Sequence, residues 1–153
     1  MRAALDVGQF VSATINQLGH PAQILRSWQE GAFELATSPA ILDDLCRALG
    51  YPRIRKRHQW SDLEIDAFVE FLALAADVTT GDPEGFAVIE ADPSDDKILA
   101  CAVEGAADYI VASDEHLIGL GSFRGIPIVP PRRFLEILTE ERERLGRISN
   151  TPT

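Results

Sequence analysis

Four short, largely apolar runs, at residues 2–5, 33–36, 109–112 and 126–129, alternate with longer stretches of helical spacing, and this alternation restricts the chain more than any other feature. Short apolar strands that must be covered on both faces, joined through helices, indicate a parallel sheet. The expected fold is therefore α/β, a three-layer α/β/α sandwich with a mainly parallel central sheet. With 153 residues, 46% hydrophobic and 25% charged, one core suffices. A single domain over residues 1–145 is expected, followed by a flexible polar tail at 146–153.

Several helices carry their own punctuation. Segments at 10–18 and 21–28 end near Gly19 and Gly31, and Ser38-Pro39 supplies an N-cap and a first-turn proline for a helix that stops at Gly50. Ser61-Asp62-Leu63-Glu64 fits a capping box, and Ile65, Phe68, Val69, Leu72 and Ala76 follow at helical spacing. Residues 81–91 are irregular and acidic, Asp92-Pro93-Ser94-Asp95 opens a helix reaching Gly105, and residues 131–145 read as the last helix. No apolar stretch approaches the ~20 residues that span a bilayer, and Asp6 comes too early for a signal peptide, so a cytoplasmic chain without a membrane partner is expected. Cys46 and Cys101 lack metal-site spacing and read as buried free thiols.

Against 14 Lys and Arg stand 24 Asp and Glu, a formal charge of -10. Such a field repels nucleic acid at long range, so RNA contact needs a local basic patch or bound cations; acid excess also simply keeps a small protein soluble. The densest basic run is Arg53-Ile54-Arg55-Lys56-Arg57-His58, flanked by Tyr51 and Trp60, which can stack on bases. Arg53, Arg55, Lys56 and Arg57 are thus RNA-binding candidates, while the same run reads equally as a solvated loop between helices. Arg124, Arg132 and Arg133 are weaker candidates. Residues 61–96 hold eleven acids and no Lys or Arg, which suits neither RNA nor an anionic membrane.

Ligands of open parallel sheets gather at the carboxyl ends of strands, and Asp6 and Asp114 each follow a strand. An acid there is also a common turn residue or cap. In the helix from Ser38, Asp43 lies four before Arg47, a spacing for a solvated ion pair. Asp44 sits instead at the edge of the apolar stripe with Ile41, Leu42, Leu45 and Leu49. There it requires a metal ion or a buried cation, unless it reaches water. Asp92, Asp95 and Asp96 crowd a helix start, where capping and the helix dipole account for acids. Asp95 is additionally in register with Leu99 and Ala102 on the apolar face. Asp6, Asp44, Asp95 and Asp114 could together form a hard-oxygen site of the kind that holds Mg2+ or Mn2+.

Four segments carry a family resemblance: Leu5-Asp6-Val7-Gly8-Gln9-Phe10-Val11-Ser12-Ala13, Ser38-Pro39-Ala40-Ile41-Leu42-Asp43-Asp44-Leu45, Asp92-Pro93-Ser94-Asp95-Asp96-Lys97, and Ala107-Asp108-Tyr109-Ile110-Val111-Ala112-Ser113-Asp114-Glu115-His116-Leu117. In this order and spacing, over about residues 2–138, the chain resembles a PIN-domain protein, and most nearly the toxin components of VapC-like toxin-antitoxin systems. The resemblance implies a metal-dependent endoribonuclease that hydrolyses RNA phosphodiester bonds with Mg2+ or Mn2+. It makes Asp6, Asp44, Asp95 and Asp114 the metal-binding and catalytic acids, and implies a cognate antitoxin as partner. Related proteins often pair as homodimers, and the apolar helix at residues 63–76 offers such a face, although burial within one chain explains it equally well.

Two departures stand beside the matches. Relatives usually read Asp-Thr-Asn after the first strand, where this chain has Asp6-Val7-Gly8 and so lacks a hydroxyl and an amide beside the first acid. His116 replaces an acid often found two residues after the fourth; it can coordinate a metal, act near the phosphate, or stand exposed in a loop. A second reading is accordingly a catalytically weakened or inactive PIN module that acts through protein or RNA binding. A third, a phospho-acceptor or other small α/β enzyme with an acidic pocket, lacks the threonine and lysine pattern expected after its strands.

Overall fold

Ala3, Ala4 and Leu5 are fully buried in succession in β1 (Arg2–Leu5), so both faces of this strand are covered, as a central parallel strand requires. The computed structural model describes residues 1–79 and 93–149, the side chains of 93–96 and 148–149 excepted. From β1 the chain turns at Asp6 into α1 (Val7–Ile15) and α2 (His20–Gln29), then returns as β2 (Glu34–Thr37). Helices α3 (Pro39–Leu49), α4 (Pro52–His58) and α5 (Asp62–Ala75) lead to β3 (Asp77–Val78). Beyond it come α6 (Pro93–Glu104), β4 (Tyr109–Val111), α7 (Glu115–Leu120), β5 (Ser122–Phe123), β6 (Ile126–Val129) and α8 (Pro131–Ser149).

The six strands lie in the order β3-β2-β1-β4-β6-β5, with all neighbours parallel except β5 and β6. This is the expected three-layer α/β/α sandwich with a mainly parallel sheet. Strand order grows outward from β1 through β2 to β3, then resumes on its other side with β4, so the topological switch point falls between β1 and β4. Ala4 stands opposite Ala36 on one neighbour and Ile110 on the other. On α6, Leu99 and Ala102 are fully buried, and just past its end an added Cβ at Gly105 would stand 3.0 Å from the Ala36 Cβ, so the helix end packs tightly on β2. On α8, Phe134 is buried edge-on against Phe33, ring centroids 5.1 Å apart at 90°.

The two strongest helix starts form as their sequences dictate. Ser38 accepts from the Ile41 N–H, and Ser61 and Glu64 complete a reciprocal capping box. Other elements differ from expectation. The basic run is a helix, α4, opened by Pro52 rather than a loop. α1 starts at Val7, directly after Asp6, and α8 continues through Gly146 to Ser149 instead of ending at Leu145. His116 lies in α7, exposed but helical. A two-residue turn with both Arg124 (φ 49) and Gly125 (φ 81) left-handed folds β5 back on β6. Among the described residues, no helix is long and apolar enough to cross a membrane.

Candidate functional site

Backbone register brings two of the four predicted acids to the switch point. The Asp6 N–H donates to the Val111 carbonyl at 3.0 Å, which locks the end of β1 against the end of β4. Asp6 occupies the N-cap position of α1, yet its carboxylate makes no capping hydrogen bond to that helix. Asp114, three residues beyond β4, does cap: its Oδ1 accepts from the His116 N–H at 2.8 Å and from the Leu117 N–H at 3.3 Å. One oxygen of Asp114 is thus committed to α7.

The third acid arrives on α3, whose buried residues Ile41, Leu45 and Leu49 fix its rotation. Asp44 then points along the edge of that face with its side chain 17% exposed. Asp6, Asp44 and Asp114 line one cleft of about 240 Å³ together with Val7, Ile41, Arg47, Ala48, Tyr51, Lys97 and Ile98. The fourth predicted acid, Asp95, falls in the first turn of α6, but its side chain lies outside the described residues, as does all of Asp92. α6 reaches the cleft through Lys97 and Ile98.

Two cations stand against these carboxylates. Lys97 Nζ donates to both oxygens of Asp44, at 2.8 and 3.0 Å, and Arg47 donates to Asp44 Oδ1 at 3.3 Å. The cation that compensates Asp44 is thus a half-buried ammonium, not a fully buried one. Arg47 pairs with Asp44 at i,i+3 rather than with Asp43. Lys97 went unrecognised as a site residue, although one signal was there: it is the sole Lys or Arg between Arg57 and Arg124. Among the described residues, no group of three or more His, Cys, Asp or Glu is drawn together tightly enough to hold a metal ion by itself. The donor set still suits a hard cation, since Mg2+ keeps several waters and takes only one or two protein carboxylates.

The basic candidates separate on α4. Arg53, Lys56 and Arg57 are exposed. Arg55 is held instead by an ion pair with Asp62 at the start of α5. His58 is buried; its Nε2 lies 2.9 Å from the Leu49 carbonyl and its Nδ1 accepts from the Trp60 N–H at 2.8 Å, which assigns the Nε2–H tautomer. Trp60 is half-buried and packs on Phe68 with centroids 5.4 Å apart. Tyr51, at the N-cap of α4, is 51% exposed at the acid cleft. Arg57 lines a neighbouring hollow with Ser12, Asn16 and Ser113, the residue before Asp114. Arg132 and Arg133 are engaged with Glu136 and Glu140 on their own helix.

The chain matches the PIN domain family over residues 2–116. A solved structure of similar fold is that of VapBC2 from Rickettsia felis bound to a DNA fragment from their promoter, with a TM-score of 0.58 at 10% identity, covering 85% of this chain and 98% of that one. No curated protein matches it in sequence. The family match starts with β1, ends inside α7, and takes in all three acids of the cleft as well as Asp95, so the chain belongs to the PIN-domain family.

Proposed function

We infer that the protein is a Mg2+- or Mn2+-dependent endoribonuclease and the toxin half of a toxin-antitoxin pair, with Asp6, Asp44, Asp95 and Asp114 as its metal-binding acids. The observation that carries this reading is the convergence of Asp6, Asp44 and Asp114, from three separate elements, on one cleft at the switch point of the sheet. When bound there, a divalent cation supplies an activated water and neutralises charge on the phosphate and the leaving oxygen. Asp6 and Asp114, tied by strand register, would hold it from the strand ends, and Asp44 from α3. Tyr51 offers a ring at the mouth for a base, and Arg53, Lys56 and Arg57 follow the strand along α4 as phosphate contacts. The antitoxin partner is supported by the likeness to VapBC2. Leu63, Phe71 and Leu74, exposed along α5, favour the homodimer read from that helix.

Cleavage of single-stranded RNA in the presence of Mn2+ tests the reading. Wild type should cut, and Asp6→Asn and Asp95→Asn should lose about 10²-fold or more, the scale on which chemistry depends on charge stabilisation. Equal rates in wild type and both variants would overturn it.

One observation favours the second reading, a PIN module that binds without cutting. Val7 lines the cleft where a hydroxyl would stand, and at Gly8 an added Cβ meets nothing within 4 Å, so neither missing polar group is excluded by packing. Gly8→Asn should therefore be tolerated structurally. A variant that gains cleavage over an inactive wild type would decide for this second reading.

A further inference from the structure

Lys97 does more than balance charge. Three described carboxylates line the cleft, and at Asp44 the ammonium takes both oxygens. Those are the lone pairs a divalent cation would use. Arg47 is the lesser neighbour, since it touches one oxygen at 3.3 Å and its side chain is 64% exposed, against 30% for Lys97. The lysine also arrives from another helix, 53 residues away on α6, so its hold on Asp44 is a tertiary contact between α3 and α6 and not a by-product of helix spacing. A lysine is suited to leaving, because its point charge sits on a flexible stem and is strongly hydrated in water.

We propose that Lys97 is a built-in competitor of the divalent cation: its ammonium holds Asp44 in place and must be displaced before Asp44 can ligate the metal. Lys97 thus sets the threshold of cation concentration at which the cleft is loaded, and it spares the three acids mutual repulsion below that threshold. This rests on the reading of the cleft as a metal site. Lys97 is a positioning residue, since it acts through Asp44.

The experiment measures Mn2+ binding by calorimetry on the full chain for wild type, Lys97→Met, Lys97→Arg and Asp44→Asn, with folding followed by circular dichroism. In parallel, the rate of reductive methylation of Lys97 is read by mass spectrometry with and without Mg2+. The chain has two lysines, and exposed Lys56 serves as the internal standard. Lys97→Met should bind Mn2+ about tenfold more tightly, the lower end of what changes around a metal site produce. Lys97→Arg should stay near wild type. Mg2+ should accelerate methylation of Lys97 relative to Lys56. Lys97→Met binding that is unchanged or weaker, methylation indifferent to Mg2+ although the cation binds, or binding that survives intact in Asp44→Asn each overturns the proposal. If wild type binds no cation at all, the metal-site reading itself fails, a distinct result. Should Lys97→Met fail to fold, the methylation arm on wild type still decides.

Discussion

Asp114 caps α7 and, in the proposed function, ligates the metal, and two substitutions pull these roles apart. Its Oδ1 caps α7 through the His116 and Leu117 N–H groups, and the residue also lines the acid cleft. Alanine removes both roles. Loss of an N-cap costs about 1 kcal/mol, and with an unfolding entropy near 2.1 cal/mol/K per residue a 153-residue chain should lose roughly 3 °C in Tm. Asparagine keeps an acceptor oxygen for both N–H groups, so Asp114→Asn should cost only a few tenths of a kcal/mol, or about 1 °C. The negative charge, however, is gone. A ligand at about 100 times its Kd stabilises the native state by about 2.7 kcal/mol, which corresponds to a rise of roughly 8 °C for a chain this long. Calorimetric scans with and without saturating Mn2+ should therefore show the full rise in wild type and a much smaller one in Asp114→Asn, although their Tm values without metal nearly coincide. An Asp114→Asn variant with an undiminished Mn2+ response would reduce Asp114 to a helix cap and refute its place among the ligands.

Other consequences follow from burial and charge. Phe134→Ala removes a fully buried ring packed on Phe33 and Tyr109, and should cost about 3–5 kcal/mol, readable as a lower urea midpoint at constant m-value; a loss under about 1 kcal/mol would mean that α8 is not held by this ring. Burial pushes the Cys101 thiol up from 9.0 to about 11, so between these values the unfolded chain ionises while the native one keeps its proton. Stability linked to Cys101 is thus complete below pH 9 and lost as pH rises toward 11, on the order of 3 kcal/mol in all, and Cys101→Ala should flatten that decline. If RNA runs along α4, Arg53→Glu and Arg57→Glu should each weaken binding and reduce the salt slope by about 0.7, whereas Arg55→Glu should also lower Tm because it breaks the tie to Asp62. A salt slope identical to wild type in both exposed variants would place the RNA elsewhere.

What the sequence disclosed, and what it withheld, divides along local against tertiary causes. The capping box at Ser61 and the Ser38-Pro39 start are short-range hydrogen bonds written in adjacent residues, and both form. Apolar runs at β1 and β4 placed Asp6 and Asp114 at strand ends, and the helical period placed Asp44 at the edge of a buried face. By contrast, α4 is seven residues of mostly cationic chain, with little propensity to persist alone. It is held by the His58 contact to Leu49 and by the Arg55 pair with Asp62, neither of which any local pattern announces. β3 and β5 have two residues each and exist only because a neighbouring strand receives them. Lys97 on Asp44 belongs to the same class, a contact across 53 residues.

The acids of the cleft are consequently not equivalent. Asp6 and Asp114 move with the sheet, because the Asp6 N–H is bonded to Val111 and Asp114 follows two residues after Ala112, whose own N–H is bonded to Val129. Asp44 moves with α3, a helix seated by Ile41, Leu45 and Leu49 and joined to α6 through Lys97. A sheet interlocked by parallel ladders is among the last parts of such a fold to open, whereas helices packed on it can shift by small sliding motions. Any change in spacing across the cleft therefore falls between the strand-end pair and Asp44. The carboxylate least tied to the strand ladder is therefore the one that carries the ammonium, so Lys97 braces the acid whose position the sheet does not fix.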